Sequence, residues 1–126
     1  LIVVTDERVA KFVGERVASI IVPPFTAMGI EQDSKVVTGI VFNHFTGCDV
    51  HMTIAGRRWP RGFLADIGAY VFDQLGCIRM TAITEQPRVV RMATRLGGEL
   101  EGCLRNHFGP GRDGFVVGFL REDWKF

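Results

Sequence analysis

Residues 48–84 contain a strand, a helix and a second strand in direct succession, and this order constrains the fold more than any other feature. The stretch CDVHMTI (48–54) alternates, with Cys48, Val50, Met52 and Ile54 on one face and Asp49, His51 and Thr53 on the other. From Phe63 onward, Leu64, Ile67, Val71 and Leu75 fall at helical spacing, and Gly76 stands where a C-terminal stop belongs. CIRMTAIT (77–84) then reads as a strand. Units of this kind embedded in a mainly antiparallel run predict a mixed sheet with helices on its faces.

The flanking segments fit that frame. Thr5 is the expected N-cap of a first helix, with Asp6 and Glu7 in its first turn and Val9, Phe12, Val13, Val17 and Ile20 as its apolar stripe. Pro23-Pro24 is its expected end. Phe25 to Glu31 reads as a strand, QDS as a turn, and KVVTGIVFNHF as a strand buried on both faces. Pro87 opens another helix carrying Val89, Met92, Ala93 and Leu96, which Gly97-Gly98 ends. ELEGCLRN and GFVVGFLRED are strands joined by the loop HFGPGRDG. The expected order is therefore α, three strands, then α, β, α, β, β, in one domain over residues 1–126.

Composition excludes more than it assigns. Hydrophobic residues make up 47% and charged ones 23%, ordinary values for a globular chain. A net charge of +1 gives no global electrostatic case for nucleic-acid or membrane binding. No apolar run reaches the roughly 18 residues of a membrane-spanning helix, and Leu1–Val4 followed by TDER lacks a signal-peptide layout. A cytoplasmic protein is the expectation. Cys48, Cys77 and Cys103 are widely spaced and read as reduced, mostly buried thiols. The histidines His44, His51 and His107 show no metal spacing. A His44/His51/Asp49 cluster is the one metal grouping conceivable, and no metal is expected.

Immediately before the central helix stand Arg57, Arg58, Arg61 and Gly62. A helix start has backbone N–H groups without intrahelical partners and lies at the positive end of the helix dipole. A glycine there lets a phosphate approach the backbone, and arginines add charge-assisted bonds. The turn is therefore either a pyrophosphate site or a solvated basic patch, and its composition alone does not choose.

The context of the turn resembles the GNAT superfamily of acyl-CoA-dependent N-acyltransferases. In that family a Q/R-x-x-G-x-G/A turn after the fourth strand cradles the coenzyme A pyrophosphate, and Arg57-x-x-Pro60-x-Gly62 fits its frame. Leu96, Gly97, Glu101, Gly102, Leu104 and Arg105 match the tail of the ribosomal-protein-alanine acetyltransferase branch, and FLREDW is similar to its closing strand. The resemblance implies a GNAT-like α+β fold, a mixed and mostly antiparallel central sheet flanked by helices. It also implies acetyl-CoA as cosubstrate and an amine as acceptor. The departures are Pro60 for the family's first glycine, Gln86 for an asparagine, Gly98 for a phenylalanine, and Ala93 where many members carry a tyrosine that protonates the leaving thiolate.

The resemblance places the coenzyme against Ile54, Arg57, Arg58, Arg61, Gly62, Phe63, Gln86 and Arg91, with Arg88 as a further candidate. For the proton acceptor, Asp49 comes first, His51 second and Glu85 third. Asp49 stands where the branch often has a glutamate, and His51 follows on the same strand face with an ordinary pKa near 6.5. A structural role for Asp49 and His51 is the competing reading. The acceptor is not readable: a protein amino terminus, a modified nucleobase and a small amine all remain open, and a homodimer is compatible with the chain. The alternatives to an N-acetyltransferase are a non-catalytic acyl-CoA-binding module and a small interaction domain whose basic turn meets an acidic partner or nucleic acid.

Overall fold

The computed structural model describes residues 2–126. The first helix, α1 (Glu7–Val17), starts where the Asp6 carboxylate accepts the Arg8 N–H at 3.0 Å, so Asp6 rather than Thr5 is the N-cap. It ends earlier than the apolar pattern suggests. Ala18 turns into the left-handed region (φ 51°) while the Ser19 N–H bonds back to Gly14, which leaves Ile20 outside the helix and 87% exposed. Before α1 lies a strand that the sequence pattern did not announce, β1 (Ile2–Val4), paired antiparallel to β2 (Phe25–Gln32). Three residues are too few for a period, and only the pairing makes them a strand.

Asp33 and Ser34, both at positive φ, make the tight turn from β2 into β3 (Lys35–Asn43). Next come β4 (His51–Gly56), α2 (Arg61–Gly68), β5 (Arg79–Thr84), α3 (Pro87–Arg95), β6 (Glu99–Leu104) and β7 (Gly114–Leu120). β3, β5, β6 and β7 are a few residues shorter than the sequence patterns, β2 runs one residue longer to Gln32, and β4 is shifted along the chain, from 48–54 to 51–56. Beyond Gly68 the α2 helix continues as a π-helical turn over Ala69–Gln74, where the Leu75 N–H reaches the Tyr70 carbonyl at 2.8 Å.

The seven strands form one sheet in the order β1-β2-β3-β4-β5-β7-β6, antiparallel except for the β4–β5 pair. This is the expected mixed, mostly antiparallel α+β architecture, and β1 makes the strand before the basic turn the fourth. One face is covered by α1, whose Val9 and Val13 are fully buried over Gly29 and Gly39. A Cβ at Gly39 would sit 2.8 Å from Val13 and 2.9 Å from Val9, so the helix can approach only a glycine there. The opposite face packs α2, its π-helical continuation and α3 through Phe63, Leu64, Ile67, Val71 and Ala93 against Met80, Val117 and Phe119. Of the cysteines only Cys77 is buried; Cys48 and Cys103 are exposed, against expectation, because Cys48 lies in the β3–β4 loop and Cys103 on the edge strand β6. Among the described residues, no helix is long and apolar enough to cross a membrane.

Candidate functional site

The parallel contact between β4 and β5 is short. Its register runs only through His51–Thr81 and Met52–Ala82, after which the two strands part. The Val50 carbonyl accepts the Thr81 N–H at 3.0 Å, so Val50 aims its amide groups at β5. By the two-residue strand period, Met52 and Ile54 aim theirs the same way. Beyond Ala82 the register with β5 stops, and the Ile54 N–H faces the opening.

A cleft of about 460 Å³ fills this opening. Its walls are β4 (His51–Ile54), β5 with its C-terminal continuation (Ala82–Gln86) and Val89 of α3. The α1–β2 connection closes one side with Ile20, Ile21 and Val22, while His44, His107 and Phe108 close another. A second hollow of about 160 Å³ shares Ile54, Gln86 and Val89 with the first and carries Arg16, Arg57 and Arg88. The arginines therefore gather at the end of the cleft that opens into the second hollow.

The basic turn is pinned from beneath. Thr38, fully buried on β3, accepts the Arg58 N–H at 3.1 Å through its hydroxyl. Gly56 at φ 100° makes the sharp exit from β4, and the Trp59 indole donates to its carbonyl at 3.1 Å. Pro60 is the N-cap of α2 and takes the Phe63 and Leu64 N–H groups on its carbonyl. The N–H groups of Arg61 and Gly62 are thereby left as the helix-start donors. A Cβ built on Gly62 meets nothing within 4 Å, so no packing demands the glycine.

The predicted coenzyme residues divide accordingly. Ile54, Arg57 and Gln86 line the clefts. Arg58, Arg61 and Gly62 are on the adjoining turn, with the Arg61 guanidinium 5.2 Å from the Phe126 ring centre. Phe63 lies in the core and its amide is already paired; Arg91 is exposed on α3 and lines neither cleft. Arg88 does line the basic hollow, as does Arg16, which sequence reasoning missed because nothing local links α1 to residues 57 and 88. Thr38 was missed for the same reason.

The three proton-acceptor candidates also separate. Asp49 is not among the residues lining the cleft: its carboxylate accepts the Thr81 hydroxyl at 2.9 and 3.1 Å and lies 3.6 Å from the Arg79 guanidinium. Arg79 is in turn held by Glu101 at 2.6 Å. His51 does line the cleft, with its Nε2 3.7 Å from Asp49. Burial pushes the His51 imidazole below its ordinary value; Asp49 opposes the shift, while the His44 and Arg79 charges reinforce it. Glu85 lines the cleft but is clasped by Arg112 at 2.7 and 3.0 Å, which holds its carboxyl below the usual range. The chain's single tyrosine, Tyr70, lies on the π-helical turn, bonded to Thr26 at 2.7 Å and lining a different groove, while Ala93 is buried in the core. Among the described residues, no group of three or more His, Cys, Asp or Glu side chains could hold a metal ion.

Solved structures share this architecture. A variant form of the spermidine/spermine N-acetyltransferase SpeG from Vibrio cholerae superposes with a TM-score of 0.74 at 14% identity, over 98% of this chain and 96% of that one. Aminoglycoside 6'-acetyltransferase type Ii gives 0.64 at 10% identity, over 96% and 97%. A protein from T. thermophilus, provisionally named an acetyltransferase, gives 0.66 at 20% identity; 81% of this chain is covered, and it spans 62% of that protein's length. No protein-family model and no curated protein sequence matches the chain. The chain has the GNAT acetyltransferase fold; these likenesses give no support for the ribosomal-protein-alanine branch in particular.

Proposed function

We propose that residues 1–126 act as one GNAT-like domain that moves an acetyl group from acetyl-CoA to an amine. The observation that carries this reading is the early parting of β4 and β5, which opens a cleft beside a glycine-bearing basic helix start. Gly62 and the free N–H groups of α2, with Arg57, Arg58, Arg61, Arg88 and Arg16 nearby, suit the coenzyme's phosphates. Pro60 removes one donor and Thr38 occupies another, so side chains carry more of that task than in the family pattern. The pantetheine arm fits along the parted strands, where the Ile54 N–H meets the thioester carbonyl and stabilises charge developing on its oxygen.

The amine nitrogen attacks that carbonyl. A C–N bond forms, the C–S bond breaks, and the coenzyme leaves as a thiolate. His51 takes the amine proton: of the two candidates that line the cleft, Glu85 is clasped by Arg112 through both oxygens, whereas His51 has only the Asp49 carboxylate, at 3.7 Å. Asp49, fixed by Thr81 and Arg79, biases His51 from behind. Water protonates the thiolate, since the only tyrosine lies elsewhere.

Saturating acetyl-CoA is expected to raise the melting temperature, by about 2.7 kcal/mol of stability at a hundredfold excess over Kd. Thiol release in the presence of an amine then tests transfer. The misplaced tyrosine favours one rival, a non-catalytic acyl-CoA-binding module, which predicts stabilisation without thiol release. No stabilisation would sink both readings and leave the interaction domain with a basic turn.

A further inference from the structure

Away from the arginines the cleft carries an apolar cluster, with Asn43, His44 and His107 as the polar side chains nearby. Ile20, Ile21 and Val22 from the α1–β2 connection face Phe108 from the β6–β7 loop across it. Among the described residues, the only carboxylate lining the cleft is Glu85, and both its oxygens are engaged by Arg112. Asp49 is turned into the sheet toward Thr81 and Arg79. An acceptor bearing several ammonium groups would therefore lose water around its distal charges and find no free carboxylate in return. A single amine on an apolar framework meets the opposite conditions. Its framework gains apolar contact, and the loss of water around its one ammonium favours the neutral form that can attack a thioester.

From this, and resting on the acetyltransferase reading above, we infer that the acceptor is a primary monoamine carried on an apolar or aromatic group. A polyamine or aminoglycoside is not its acceptor. The shared chemistry comes from two sources, a small arylalkylamine or a peptide amino terminus with an apolar first residue. In either case the nitrogen gains the acetyl carbon, loses one proton to His51, and releases the coenzyme thiol.

The test measures thiol release and the mass of the acetylated product from acetyl-CoA with 2-phenylethylamine, ethylamine, a short peptide beginning with Phe, spermidine or kanamycin. The expected result is that 2-phenylethylamine or the Phe peptide exceeds ethylamine and spermidine in kcat/KM by at least about tenfold, the scale set by apolar contact in a pocket. Whichever of the two is preferred identifies the source. Equal or better turnover of spermidine, kanamycin or ethylamine overturns the inference, whereas acetyl-CoA stabilisation with no turnover of any amine overturns the acetyltransferase reading it rests on. Absence of stabilisation by acetyl-CoA overturns that reading as well.

A variant probes the charge argument directly. Arg112→Gln frees the Glu85 carboxylate, and Arg112 lies on the exposed β6–β7 loop, where loss of the pair leaves the core intact. The ratio of kcat/KM for spermidine over 2-phenylethylamine should rise several-fold in this variant. An unchanged ratio, with the melting temperature also unchanged, overturns the assignment of Glu85 and Arg112 as the pair that excludes polycations.

Discussion

The Thr38 hydroxyl accepts the Arg58 N–H at 3.1 Å across twenty residues of sequence, tying the middle of β3 to the turn that opens α2. Thr38 is fully buried, so Thr38→Val keeps its shape and removes only this acceptor. The stranded N–H should cost about 1–3 kcal/mol of stability. The loosened turn should also weaken acetyl-CoA binding, measured by titration calorimetry below the variant's melting range. Lost stability with unchanged affinity would separate Thr38 from the coenzyme site.

Two glycines give opposite expectations. Gly62 has open space where a Cβ would point, whereas a Cβ at Gly98 would lie 2.7 Å from Val117 and 2.9 Å from Phe119. Gly62→Val should fold with stability changed by less than about 1 kcal/mol and lose acetyl-CoA affinity, because its side chain covers the helix-start donors. Gly98→Val should lose at least about 1–3 kcal/mol through overpacking. Thermal melts with and without acetyl-CoA read both effects. A Gly62→Val protein that still binds acetyl-CoA normally would mark the turn as plain surface.

The pH dependence distinguishes His51 from Asp49. His51 titrates below its ordinary value, so it is neutral at pH 7 and the acidic limb of kcat/KM should lie below about 6.5. His51→Gln should abolish that limb and lower kcat by roughly 10²–10⁴. Asp49 raises the His51 value, so Asp49→Asn should move the limb to lower pH without removing it. If the limb vanishes with Asp49→Asn and survives His51→Gln, the base is Asp49.

The same shift has a stability counterpart. The unfolded chain binds a proton at His51 more readily than the folded one, so this contribution is fully present above the unfolded pKa near 6.5 and is lost as pH falls below it. Compared with His51→Gln, the wild-type chain should lose melting temperature faster between pH 7 and pH 5. Parallel curves for the two proteins would contradict the assigned shift.

Tyr70→Phe should leave kcat unchanged, because the hydroxyl bonds Thr26 on β2 and lies outside the cleft. Loss of that exposed hydrogen bond should cost about 0.5–1.5 kcal/mol at most. A large fall in kcat would return the thiolate-protonating role to a tyrosine.

Periodicity and punctuation in the sequence determined most of the elements. The alternation in CDVHMTI, the helical stripe from Phe63 and the stops at Gly76 and Gly97 are local patterns, each set by which face of one segment avoids water. The succession of strand, helix and strand likewise carried the single parallel pair in an otherwise antiparallel sheet. Ile54 and Arg57 fall in one short run at the end of β4, and Gln86 stands at the start of α3; all three line the basic hollow.

Tertiary structure decided the rest. Ile2–Val4 are a strand only because β2 lies beside them, and α1 stops at Val17 although its apolar stripe runs on to Ile20. Asp49 and His51 stand on the same strand face, and the sequence alone ranked Asp49 ahead of His51. Thr81 and Arg79, thirty or more residues on, draw Asp49 into the sheet and leave His51 facing the opening. Arg112 neutralises Glu85, Arg16 joins Arg57, and Thr38 holds Arg58 across similar distances. A side chain's chemistry depends on the charges, donors and water within a few ångströms of it, and in this fold those neighbours come from remote segments whose positions no local pattern records.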